Sequence, residues 1–309
     1  MSKIAVLLLA HGTPDSVSEI PEYLRNVTGG RQVPDSVIDE VKHRYGLIGR
    51  SPLTGITLRQ GELLSESLKM PVYVGMRNWR PYIADVVNRM RSDGNGSVIA
   101  LCLAPQNSRT SVGLYRRAVE TAAQDLEINF IESWHDHPGL ISAFAEKLEV
   151  ARMRFGRDVP VIFTAHSVPE RTISEGDVYE QQARETGALV AQRLGLPQCQ
   201  WAFAFQSQGM SGERWIGPRV EETITKLKDA GYSCVLIQPV GFVCDHVEVL
   251  YDIDIAFREF GSRIGVDVVR TESLNDSPVL IAALADLVRI RGRANTKVTK
   301  ATVAVTKRE

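Results

Sequence analysis

Cysteine is scarce in this 309-residue chain, and the four present, Cys102, Cys199, Cys234 and Cys244, show neither CxxC spacing nor the density of a disulfide framework. They read as reduced thiols in a reducing compartment, which argues against a zinc site or an iron–sulfur cluster. Long apolar runs are missing too: the longest, IAVLLLA at residues 4–10, is far short of the ~20 residues a membrane span needs. The N-terminus lacks the charged, then apolar, then small-residue order of a secretory signal, so a cytoplasmic protein without a transmembrane segment is expected. Neither sign of charge dominates. Lys+Arg 36 against Asp+Glu 37 leave a formal charge of -1, with no basic field to attract a nucleic acid. Nucleotide signatures are absent: no GxGxxG follows the first apolar run and no GxxxxGKS or GxxxxGKT occurs, which speaks against dinucleotide and ATP chemistry. There is no GxSxG elbow for a serine hydrolase.

What the chain does have is apolar runs of strand length alternating with longer segments of helical period, the mark of βαβ units and a parallel sheet. IAVLLLA, PVYVGM, SVIALCLA and INFIES read as strands in the first half, and VPVIFTA, WAFAFQ, CVLIQPV and VDVVRT in the second. The halves also match in letters: ESWHDHPGLISAFAEKL from Glu132 aligns with ESLNDSPVLIAALADLV from Glu272. In both, an aspartate two residues before a proline opens a helical period. A duplicated α/β unit follows, with a first domain over 1–153, a second over 154–276, and a boundary in RFGRDVP, where charge, Gly and Pro interrupt the pattern. A final helix over 277–291 is expected to return to the first domain, leaving 293–309 as a mobile tail. Ligands of open parallel sheets bind beyond the carboxyl ends of the strands, so the cleft between two such sheets is the place to look.

Two strands end on histidine: His11 after VLLLA and His166 after VIFTA. Two readings of His166 stay open. It fills the last strand position before an S-x-x-E helix cap, or it takes a proton or holds a transition metal. In GFVCDHVEVLYDID, Asp245, Glu248 and Asp252 stand at i, i+3 and i+7, which puts three carboxylates on one helix face. Asp245 with Glu248 also reads as a plain cap, yet Asp252 lies a turn beyond, where capping explains nothing. A histidine with a carboxylate and no sulfur suits Fe²⁺ held weakly enough to be passed on. Arg31, Arg44, Arg50 and Arg109, with Tyr45, Ser51, Ser108 and Tyr115, offer partners for carboxylates on a large substrate, and each alone also reads as a solvated surface residue.

FTAHSVP together with GFVCDHVEVLYDID resembles ferrochelatase, the enzyme that inserts Fe²⁺ into a porphyrin. The likeness runs from about residue 4 to about residue 290 and includes RYGLIGRSPL, GMRNW, LAPQ and QSQGMSGERWIGP. It implies two Rossmann-like domains, chelatase-like, each with a four-stranded parallel sheet flanked by helices, around a porphyrin cleft. It implies that His166 and Glu248 are catalytic and contact the metal, and that Asp245 and Asp252 form a polar line leading from the centre. The wording PVGFVCDHVEVLYD is similar to the bacterial coproporphyrin III branch, whose product is Fe-coproporphyrin III in heme biosynthesis. In that branch a tyrosine at the position of His11 ligates the product iron, and an arginine stands where this chain has Thr28. Arg31, Arg44, Tyr45, Ser51 and Tyr115 are then the expected substrate contacts. The resemblance implies Fe²⁺ and a porphyrin as substrates, no required cofactor, a monomer, and neighbouring heme-pathway enzymes as partners. A protoporphyrin IX enzyme and a sirohydrochlorin-type chelatase, which tends to use two histidines, are the alternatives within chelatases; a two-domain solute-binding protein is the alternative outside them.

Overall fold

The computed structural model describes residues 3–208 and 212–306, with side chains as far as 293. All eight expected strands form: β1 Lys3–Ala10, β2 Val72–Met76, β3 Asn95–Cys102, β4 Glu127–Ile131, β5 Val161–His166, β6 Trp201–Gln206, β7 Cys234–Pro239 and β8 Asp267–Arg270. They make two four-stranded sheets of orders β2-β1-β3-β4 and β6-β5-β7-β8, and every pairing is parallel. The same order recurs in each half, as a duplication requires. Twelve α-helices are described: α1 Ile20–Val27, α2 Asp35–Ile48, α3 Leu53–Leu68, α4 Ile83–Ser92, α5 Val112–Ala122, α6 Pro138–Phe155, α7 Glu170–Ser174, α8 Tyr179–Arg193, α9 Val220–Asp229, α10 Val247–Leu250, α11 Arg258–Ile264 and α12 Pro278–Thr306.

Because side chains alternate across a strand, each buried strand must be covered on both faces. Leu7, Leu9, Val98 and Ala100 pack against Val86, Met90 and Val119 of α4 and α5. Ile162, Val235 and Ile237 pack against Ile224 of α9 and Ile253 and Phe257 ahead of α11. The inner faces share one continuous core, in which Val6, Leu8, Ile99, Phe163, Ala165 and Leu236 meet Leu64, Phe144, Val190 and Leu284.

Helix α6 precedes the expected boundary at 154 in the chain, yet it packs on α8 and β7 of the second half. Helix α12 ends the second half and packs on α3 and β3 of the first. The two halves therefore exchange their last helices, which also touch each other: a Cβ on Gly139 would come within 2.7 Å of the Ala283 Cβ. The repeated ESW and ESL segments open these two helices, with His137 and Ser277, rather than the aspartates before them, supplying the capping atoms. Helix α12 runs on past 291 to Thr306. The expected tail falls largely on residues whose side chains lie outside the described ones. No helix among the described residues is long and apolar enough to cross a membrane.

Candidate active site

In each sheet the chain leaves the first strand in one direction and returns on the other side, so crevices open beyond β1 and β3 and beyond β5 and β7. A single cavity of about 510 Å³ spans both crevices. Leu9, Ala10 and His11 reach it from β1, Leu103 and Gln106 from β3, His166 from β5, and Gly241 to Cys244 from β7. The halves are fastened there by Gln106, whose buried amide donates to Thr186 Oγ1 at 3.0 Å and to the Val240 carbonyl at 3.1 Å.

His166 Nε2 stands 3.6 Å from Glu248 Oε1, and their side chains keep 32% and 35% of their surface open, toward the cavity that both line. The imidazole is oriented from behind: its Nδ1 donates to the Ser167 carbonyl, and the Tyr179 hydroxyl donates to the carbonyl of His166 at 3.0 Å. Burial pushes the ring toward neutrality, but the Glu248 charge and hydrogen-bonding capacity outweigh it and lift the pKa from 6.5 to about 9. His166 is thus charged at neutral pH. Burial resists ionisation of Glu248 in turn, and the His166 imidazolium carries it well below the usual carboxylate range.

The sequence reading passed over His246. Its Nδ1 donates to the Cys244 carbonyl at 3.0 Å and its Nε2 lies 3.7 Å from Glu248 Oε2, so Glu248 sits between two imidazoles. The CDHVE spacing was the available signal, because residues two apart at a helix entry can converge where an N-cap is extended, as His246 is at φ -161°.

His11 lines the opposite, first-half wall, with Nε2 2.9 Å from the Tyr23 hydroxyl and Asn78 Nδ2 3.1 Å from the ring. Burial, and then the charge of Arg77, push its pKa down to about 4, so it is a neutral imidazole at pH 7. Arg77 also lines the cavity, lying 5.5 Å from the Tyr115 ring, and its Nε is buried without a partner.

The other expected residues divide. Tyr115 is in the cavity wall. Arg31 is not: it is exposed and its Nε donates to the Thr28 carbonyl at 3.0 Å. Arg44 is held outside by Glu40 at 2.8 Å and by Asp252 at 3.5 Å. Tyr45 and Ser51 are buried and do not line the cavity, and Tyr45 lies against the Tyr23 hydroxyl. Arg109 pairs with Glu175, and Arg50 with Asp15. Besides the His166 imidazolium, Arg77 and Arg171 line the cavity, and no motif singled them out as substrate contacts.

The single acidic face does not form. Asp245 precedes the helix, which starts at Val247, and its carboxylate bonds Arg270, Ser273 and Asn275 at 2.7–3.1 Å. Beyond α10 the backbone widens into a π-turn, Asp252–Phe257, where the Ala256 N–H donates to the Tyr251 carbonyl at 2.9 Å. Asp252, one turn after Glu248, is bonded to Ser207 and faces Arg44. Burial and the nearby Glu248 charge raise Asp252 to about 6, against the pull of Ser207 and Arg44. In the QSQGMSGERWIGP motif, Gly209, Met210 and Ser211 lie outside the described residues.

Comparison with known proteins gives the family. The family model for ferrochelatase matches residues 3–291. A ferrochelatase of Acidobacterium capsulatum is 56% identical over 92% of this chain and 93% of its own. A coproporphyrin III ferrochelatase of a Geobacillus species is 34% identical over 93% of this chain and 97% of its own. Among solved structures, SirB of Bacillus subtilis with Fe³⁺ superposes with a TM-score of 0.58 at 10% identity, covering 94% of this chain and 95% of that one, which is a likeness of fold. On the match along nearly its whole length and on these relatives, the chain belongs to the ferrochelatase family and is a porphyrin metal chelatase.

Proposed function

We propose that this ferrochelatase takes coproporphyrin III as its tetrapyrrole and delivers Fe²⁺ to the ring from the side of His166 and Glu248, with no cofactor. The observation that carries the site is the approach of His166 Nε2 and Glu248 Oε1 to 3.6 Å on the wall of the cavity between the halves. Insertion exchanges one Fe²⁺ for the two protons on the pyrrole nitrogens. Glu248, an anion at every physiological pH, attracts the ion and strips part of its water. The ion's charge displaces the proton from His166 to solvent in the open cavity, and the freed imidazole then accepts one pyrrole proton as the ion moves into the ring. His246, on the far oxygen of Glu248, offers an exit for the second. His11, neutral and on the opposite wall, supplies the ligand to the product iron.

A tetracarboxylate substrate is supported by two arginines in the cavity wall, Arg77 and Arg171. It is supported also by the coproporphyrin III ferrochelatases among the relatives. Binding energy from carboxylates remote from the nitrogens is available to hold the ring in its reactive shape. Anaerobic mixing of the protein and Fe²⁺ with coproporphyrin III or protoporphyrin IX, followed by the change in the porphyrin spectrum, tests the reading. A higher kcat/KM with coproporphyrin III is expected, and the reverse order overturns the substrate assignment. A histidine on the wall opposite His166, His11, is the observation that favours sirohydrochlorin; including sirohydrochlorin in the panel decides between them.

A further inference from the structure

We propose that Arg270 is a positioning residue for metal insertion, in which one guanidinium grips both ends of the segment that carries Glu248. The inference rests on the reading of Glu248 as the metal-facing carboxylate.

Arg270 is the last residue of β8, and its side chain is 13% exposed, so its charge has to be met inside the protein. Nε and Nη2 donate to the two carboxylate oxygens of Asp254, both at 2.8 Å, in a parallel fork. Nη1 turns the other way and donates to Asp245 Oδ1 at 3.1 Å and to the Thr271 carbonyl at 3.2 Å. Asp245 is secured further by Ser273 Oγ at 2.7 Å, and its own N–H donates to Asn275 Oδ1 at 2.9 Å. Between these two anchored carboxylates lie His246, Glu248, Asp252 and the start of the π-turn. Arg270 itself does not line the cavity.

The arrangement has a physical purpose. A π-turn is less favourable than an α-turn and persists where tertiary contacts determine it. Asp254 sits inside the π-turn, so the fork on Asp254 pins its register, while the bond to Asp245 pins the strand exit at the other end. With both ends fixed, the direction of Glu248 toward His166 is fixed. Lysine lacks the geometry: a single ammonium cannot fork onto Asp254 and reach Asp245 as well.

The clamp predicts a split between turnover and substrate affinity. Porphyrin contacts spread over walls from both halves, whereas the clamp governs one carboxylate. In Arg270→Lys, kcat for Fe²⁺ insertion is expected to fall about tenfold or more, the size usual for losing a residue that orients a metal-facing group, with porphyrin affinity by fluorescence quenching held within about twofold. Asp254→Asn breaks the fork while Arg270 keeps Asp245, Thr271 and Ser273, and it is expected to show the same split, so the test survives if the Arg270 variant does not fold. Retention of kcat within about twofold in the variants that fold, or loss of porphyrin affinity in step with kcat, overturns the clamp. Glu248→Gln run alongside separates the two ideas: full activity there removes the metal-site reading, whereas an inactive Glu248→Gln beside an active Asp254→Asn removes only the clamp.

Discussion

Up to about pH 9 the His166 ring carries its proton because Glu248 stands 3.6 Å away, so an entering divalent ion has to displace that proton before the imidazole can hold it. The anaerobic kcat/KM for Fe²⁺ is therefore expected to climb between pH 7 and about 9, and a flat profile across that range removes His166 from the ion's path. His166→Ala is expected to abolish insertion while porphyrin binding persists; undiminished turnover in that variant is the contrary outcome. The pair has a stability window as well. The raised pKa of His166 stabilises the fold fully below 6.5, and that contribution is lost as the pH climbs through about 9. The depressed pKa of Glu248 stabilises above 4.5 and is lost as the pH falls below it. Asp252 runs the other way: its folded pKa of about 6 against 3.8 unfolded makes ionisation a cost above about pH 6. Asp252→Asn is expected to raise the melting temperature at pH 8 more than at pH 4, measured by thermal unfolding at both.

Among the elements, strand exits do the aiming. Gly241, where the chain leaves β7, has no room for a side chain: a Cβ would lie 2.8 Å from the Ala165 Cβ and 2.9 Å from its Cα. The exit of β7 thus rests directly on the last residues of β5, which is how the Glu248 helix is brought beside His166. Gly241→Ala is expected to cost about 1–3 kcal/mol, as overpacking of a fixed backbone does, and to lower turnover, read by denaturant unfolding and by insertion rate. At the other wall Gly12 takes φ +80° with the Trp79 Cβ and N 2.9 Å from where a Cβ would be, turning the chain sharply after His11. The acidic spacing shows how far periodicity reaches. Asp245, Glu248 and Asp252 fall on one face only if one α-helix runs through all three; the extended His246, which puts Asp245 ahead of the helix, breaks that condition. Arginine beside an acid-rich run carries no mark of which acid it will grip, so the Arg270 fork was not legible.

Over the whole molecule, the exchange of α6 and α12 makes the two sheets dependent on each other. Each half lends a helix to cover the other's inner face, and one apolar core runs through both. The halves are therefore expected to unfold together, as one calorimetric transition whose van't Hoff and calorimetric enthalpies agree, and two resolved transitions would count against a shared core. The eight strands were legible because each is a local run whose composition alone marks it. Of the exchange, the return of α12 to the first half was legible from its place after the last strand; the crossing of α6 was not, since a helix shows which of its faces is apolar but not which sheet will receive it.

Strand identity, the duplicated α/β plan and two histidines at strand ends are properties of short stretches, and sequence alone determined them. Tertiary structure decided what those stretches confront: Glu248 opposite His166, His246 behind it, Arg77 and Arg171 in the cavity, and Arg31 and Arg44 outside it. The reason is range. Backbone propensity and side-chain period act over a few residues, whereas the charge felt by His166 and the partner chosen by Arg270 come from residues brought close only when both sheets have closed around one core.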